Sequence, residues 1–182
     1  HIPINVRELG VDFLSASAHK FNGPKGIGFL YIRKGLKLKR FIHGGQQEGG
    51  FRAGTENVAA IVGMAEALKF NCENMERNTE HLNNLAQKLC DGIGCFAKDA
   101  IFNGFSFCDH LPGFVSVSFP YHSAEGIMHI LDLKGIAVST GAACDSKSTQ
   151  VSHVLKAIHL PMKYAQGTIR ITLGIENTEN DV

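Results

Sequence analysis

The chain has 182 residues, of which 44% are hydrophobic and 19% charged, the composition of one globular domain with a full core or of two small ones. Its 18 Lys and Arg against 17 Asp and Glu leave a formal charge of +1, which excludes a global field that would recruit nucleic acid or an anionic membrane. No apolar run approaches the ~18 residues of a membrane span, the first residues lack a signal-peptide plan, and the five cysteines contain no Cys-x-x-Cys pair, so the expectation is a cytoplasmic protein with reduced thiols.

Residues 1–32 predict strand, loop and strand. Val11 to Ser17 runs into the loop that holds Lys20, Gly23-Pro24 forces a turn, and Ile27 to Ile32 returns as a second strand rich in β-branched and aromatic residues. A lysine at the end of a strand, in partly desolvated surroundings, can lose its proton and attack a carbonyl. Ser17 and His19 flank it with a hydroxyl and an imidazole, both able to donate to a phosphate, so one segment could hold an aldehyde and an anion together. Taken alone, Lys20 reads as a solvated loop lysine, the ordinary place for a lone lysine. The basic run Lys34 to Arg40 alternates Leu with Lys and suits a hairpin edge better than a nucleic-acid arm.

His43 to Asn57 carries five glycines in fifteen residues, a composition open to a flexible loop or to a backbone that turns its N–H groups toward an anion. Val58, Ile61, Val62, Ala65 and Leu68 then recur at helical spacing, which predicts a helix with Thr55 as its N-cap. A second helix is predicted from about Asn74, with Met75, Leu82, Leu85, Ala86 and Leu89 on one face and a break at Gly92 and Gly94. Its charged face, including Glu76, Arg77, Glu80 and Lys88, reads as solvated surface.

The rest predicts a smaller α+β unit. Phe114 to Phe119 alternates as a half-buried strand, Ser123 caps a helix that bears Ile127, Met128 and Leu131 and ends at Gly135, and Ile136 to Ser139 forms a short strand. Ile169, Ile171 and Leu173 alternate in the last strand, leaving Arg170 on the opposite face. Cys72, Cys90, Cys95 and Cys108 read as small buried hydrophobes. Cys144 does not, because six of the next seven residues are polar; an exposed thiol on a polar loop suits a nucleophile or carrier. At the end of the chain, Thr178 and Asp181 have the spacing of a helix start.

Three segments, in order, resemble the cysteine desulfurases, pyridoxal phosphate (PLP) enzymes of the class V aminotransferase group. Ser17, His19, Lys20, Gly23, Pro24, Lys25, Gly26 and Gly28 match every fixed position of the family's Ser-x-His-Lys-x-x-Gly-Pro-Lys-Gly-x-Gly segment. Gly44 to Asn57 is similar to its Gly-Gly-x-Gln-Glu-x-Gly-x-Arg-Ala-Gly-Thr-Glu-Asn motif, and Ser139 to Leu155 to its long cysteine loop ending in Ser-His-Val-Leu.

The resemblance implies an α/β fold: residues 1–76 as the C-terminal part of the large PLP-binding domain of fold type I, and residues 77–182 as a smaller α+β domain incomplete at its end. It implies that Lys20 carries the cofactor as a Schiff base and that Ser17 and His19 touch its phosphate. Thr55 reaches the phosphate of the partner subunit's cofactor in a homodimer, Arg170 binds the substrate carboxylate, and no metal takes part. L-cysteine would become L-alanine, with a persulfide on Cys144 passed to an iron–sulfur scaffold or other sulfur-acceptor proteins. The family's N-terminal motifs, including the aspartate for the pyridine nitrogen, have no counterpart in this sequence, so the expectation is an internal fragment with weak or no activity alone. Selenocysteine lyase, another class V PLP activity and a non-enzymatic interaction fragment are the alternatives.

Overall fold

The computed structural model describes residues 1–104, 110–140 and 151–182. The chain divides into two compact units, His1–Met75 and Glu76–Val182.

In the first unit, β1 (Phe13–Ser17) and β2 (Gly28–Ile32) form an antiparallel hairpin in which Phe13 faces Ile32 and Ser17 faces Gly28. Gly28 is required there, because a Cβ at this position would run into the carbonyl oxygen of Ala16. Asp12 and Arg33 close the base of the hairpin with an ion pair of 3.2 Å. Helix α1 (Val58–Glu73) follows the glycine-rich segment. Its N-cap is Asn57, whose side chain accepts a hydrogen bond from the N–H of Ala60 at 3.2 Å, and not Thr55 as the sequence predicts. The two residue types cap with comparable strength, and Asn57 stands where its side chain reaches the third helical N–H. α1 buries none of its residues; Val58 is 65% and Val62 56% exposed.

The second unit has a continuous core. α2 (Met75–Phe96) presents Leu82, Leu85, Ala86 and Cys90 on one buried face, the spacing that gathers side chains on one side of a 3.6-residue helix. It runs through Gly92 and Gly94, where the sequence predicts a break, and a Cβ at either would meet nothing within 4 Å. Two glycines weaken a helix by about 1 kcal/mol each, an effect the buried face outweighs.

Strands β3 (Ile101–Phe102), β4 (Phe114–Ser118) and β5 (Thr168–Thr172) form an antiparallel sheet in that order. Alternation sorts the residues of β4 and β5. Val115, Val117, Ile169 and Ile171 pack with residues of α2 and with Ile127 and Leu131 of α3 (Ala124–Asp132), while Ser116, Ser118, Thr168 and Arg170 share the other face. Ser123 caps α3, its Oγ accepting from the N–H of Gly126 at 3.3 Å. The strand predicted over Ile136–Ser139 reduces to a single bridge, Ser139 to Arg170; Ile136 is exposed and has no pleated neighbour to pair with. Two short helices, α4 (His153–Ala157) and α5 (Met162–Ala165), precede β5. Thr178 and Asp181 exchange backbone and side-chain hydrogen bonds in the manner of a capping box.

The cysteines divide differently from the sequence reading. Cys90 is buried, but Cys72 and Cys95 are exposed, because both fall off the packed faces of their helices; Cys108 and Cys144 lie outside the described residues. Burial, with a smaller contribution from the charge on Asp91, pushes the Cys90 thiol up to about 11. At pH 8 about 0.1% of such a thiol is ionised, far less than the share for a free cysteine with pKa about 8.5. Iodoacetamide at pH 8 should therefore label Cys72 and Cys95 in the folded protein and spare Cys90 until denaturant is added, as peptide mass spectrometry would report.

Candidate active site

The Lys20 segment is a turn held from several sides. β1 ends at Ser17 and the chain enters a 3-10 turn, Ala18–Phe21. The N–H of Ala18 donates to the carbonyl of Ile27 at 3.0 Å, and the N–H of Gly23 returns to the carbonyl of Ala18 at 2.9 Å. Asn22 closes the turn in the left-handed region at φ 66, a conformation that Asn tolerates better than most residues. Ala18 is fully buried beneath the turn, so the backbone is anchored while the side chains of Ser17, His19 and Lys20 face outward.

Helix α1 supplies the remaining anchor. Asn71 Nδ2 donates to the carbonyl of Phe21 at 2.9 Å and to the carbonyl of Ala67 in its own helix at 2.7 Å. Gly63 lies against Pro24, so closely that a Cβ would stand 2.8 Å from Pro24 Cγ. The sequence reading missed both residues. A signal existed in Asn71, an amide near the end of a mostly apolar helix, but its partner is fifty residues away and only the fold brings them together.

Ser17, His19 and Lys20 are thus gathered within one turn, and among the described residues none of their side chains makes a hydrogen bond or ion pair. All three are exposed. Among the described residues the partly desolvated setting expected for Lys20 is not built, since Lys20 is exposed. Thr55 is also exposed, between Gly54 and the Asn57 cap, and no hydrogen bond joins it to the Lys20 turn. The loop before it is held by its own side chains: Gln47 Oε1 accepts from the N–H of Gly54 at 3.2 Å, and Arg40 donates to the carbonyls of Gly44 and Gly45.

Arg170 belongs to the second unit. Its backbone N–H donates to Ser139 at 2.7 Å and its carbonyl accepts from Ser139 at 3.0 Å, while across the sheet it faces Ser116 of β4. The guanidinium makes no ion pair among the described residues, and its Nε is buried without a hydrogen-bond partner. A buried donor left unpaired is costly, by about 1–3 kcal/mol, and a guanidinium fork is the shape that receives a carboxylate. Cys144, the candidate nucleophile, lies outside the described residues.

The family model Aminotransferase class-V matches residues 1–182. Among curated proteins the chain is similar to the cysteine desulfurase IscS of Dictyoglomus turgidum, with 49% identity over 182 residues, covering 100% of this chain and 46% of that protein. A solved NifS-like protein superposes with a TM-score of 0.86 at 39% identity, over 99% of this chain and 46% of its own. A structure of SspA in complex with cysteine matches with a TM-score of 0.67 at 30% identity, over 96% of this chain and 47% of its own. The fold is the α/β arrangement of the NifS-like proteins, and the chain spans about half the length of the relatives it matches.

The anchor from α1 has a direct test. Asn71→Leu keeps the branched shape and the number of side-chain heavy atoms and removes the bond to Phe21, so amide exchange at Gly23 should quicken about tenfold, the equivalent of one lost hydrogen bond, while exchange in β4 and β5 stays unchanged. Equal exchange at Gly23 in both proteins would show that the turn holds without α1.

Proposed function

The chain belongs to the aminotransferase class-V family, and from that premise we propose that the whole protein is a PLP-dependent cysteine desulfurase that converts L-cysteine to L-alanine. A persulfide formed on Cys144 is passed to an iron–sulfur scaffold or other sulfur acceptors. In this reading residues 1–76 end the large domain, residues 77–182 form the small one, and the protein works in the cytoplasm as a homodimer. The observation that carries it is the Lys20 turn: an ammonium, an imidazole and a hydroxyl on one anchored turn, all without protein partners among the described residues.

That donor set fits PLP. Ser17 and His19 would hold its phosphate, Thr55 would reach the phosphate of the site in the partner subunit, and Lys20 would hold its aldehyde end. When bound, PLP supplies an electron sink next to the substrate's reacting carbon. Lys20 Nζ would move the proton at the substrate Cα. Arg170 fixes the carboxylate, which sets which bonds of the substrate face the lysine. The Cys144 thiolate would attack the sulfur of L-cysteine, forming the S–S bond as the C–S bond breaks, and the electron pair of that bond would stay with the substrate Cβ, which takes a proton to become the methyl of alanine. Desolvation of Lys20 then comes from bound ligands and from protein that covers the turn in the whole enzyme.

The whole protein should release L-alanine from L-cysteine, with selenocysteine as the competing substrate in the same assay. Borohydride should fix the cofactor on Lys20, detectable on the tryptic peptide, and Cys144→Ala should keep that label and lose persulfide transfer. Persulfide transfer that survives Cys144→Ala would remove the central step of this reading. Contact across the dimer is tested by mixing Lys20→Ala with Thr55→Ala protein. Each heterodimer then carries one site with both lesions and one with neither, and activity partly returns; no recovery despite measured subunit exchange places Thr55 outside the partner's site.

A further inference from the structure

The polar face of the second unit's sheet carries a hydrogen-bond chain whose direction follows from one carbonyl. Thr168 Oγ1 donates its single hydrogen to the backbone carbonyl of Tyr164 at 3.0 Å, an acceptor that has nothing to give in return. The 2.7 Å contact between Ser118 Oγ and Thr168 Oγ1 must then use the hydrogen of Ser118. With that hydrogen spent, Ser118 can only accept from Asn103, so the 2.7 Å contact between them requires Asn103 Nδ2 and rules out its amide oxygen. The second hydrogen of Nδ2 goes to Ser116 Oγ at 3.2 Å. Ser116 is consequently an acceptor toward Asn103, and its own hydrogen has no acceptor among the described residues.

Ser116 stands opposite Arg170 in the β4–β5 register. The backbone groups of Arg170 turn to Ser139, and the carbonyl of Ser116 accepts from the N–H of Asn103 at 2.8 Å, so this is a non-hydrogen-bonded pair, the kind whose side chains stand closest on one face. One face therefore holds two uncommitted donors on paired residues: the Ser116 hydroxyl and the buried Arg170 Nε.

We propose that Ser116 is a second binding residue for the substrate carboxylate, donating its hydroxyl hydrogen beside Arg170 and held in that donor orientation by Asn103. The inference rests on the desulfurase reading of Arg170 and extends it to a residue on a different strand. Asn103 is a positioning residue; Ser116 is the one that touches ligand.

The test compares two substitutions of one shape in the whole protein loaded with cofactor. Ser116→Thr keeps the hydroxyl and Ser116→Val replaces it with a methyl, and both suit a strand. Calorimetry measures the Kd of L-alanine and of ethylamine, which is alanine without its carboxylate. Ser116→Val should weaken L-alanine about tenfold, the share of a hydrogen bond to a charged group, with ethylamine unchanged and Ser116→Thr equal to the wild type. Unchanged L-alanine affinity in Ser116→Val overturns the inference, as does an equal loss for both ligands or a failure of Ser116→Thr to restore binding. A wild type that binds L-alanine no better than ethylamine overturns the reading of Arg170 itself, and the inference with it.

Discussion

The antiparallel pairing of β4 with β5 governs the second unit. Val115 and Val117 can enter the core only if they meet Ile171 and Ile169 across the ladder, and the same register places Ser116 against Arg170 on the other side. A slip of one residue would turn the valines out and the arginine in. Gly167 protects the register at its end: its carbonyl accepts from the N–H of Phe119 at 3.0 Å, and a Cβ there would collide with the carbonyl oxygen of that same residue. Core packing and the placement of Arg170 are in this sense one constraint viewed from two faces of a sheet.

The first unit is organised by backbone instead. Its hairpin and α1 bury little, and the candidate site residues Ser17, His19 and Lys20 sit at a turn fixed by main-chain hydrogen bonds, by Asn71 and by the contact of Gly63 with Pro24. Rigid backbone with exposed donors is what a site for an external group requires, because side chains already paired with one another would have to be released before they could bind.

Much of this was legible in the residues. Alternation in Phe114 to Phe119 and around Arg170 identified both strands and their inward faces, and Ser123 named its own helix start. Local pattern failed where two local solutions were equally good or where the deciding neighbour was distant. Thr55 and Asn57 are both competent caps, and only geometry selects Asn57. Gly92 and Gly94 are helix breakers that a buried face overrode. Ile136 to Ser139 had strand-like residues but only one partner position beside β5. Whether Cys72 and Cys95 are covered, and whether Lys20 is, depends on what packs over a residue, which no short window of sequence contains; all three are exposed.

Helix α1 carries a thermodynamic consequence. Sixteen residues of which none is fully buried form a helix of marginal stability in water, and this is the element that clamps the Lys20 turn through Asn71 and Gly63. Whatever covers the exposed flank of α1 raises the helical population, and the clamp is populated in the same proportion. By linkage, a surface that binds α1 and a ligand that binds the turn must each raise the other's affinity. Occupancy of the turn by any ligand is then tied to association without any residue of the turn touching the covering surface.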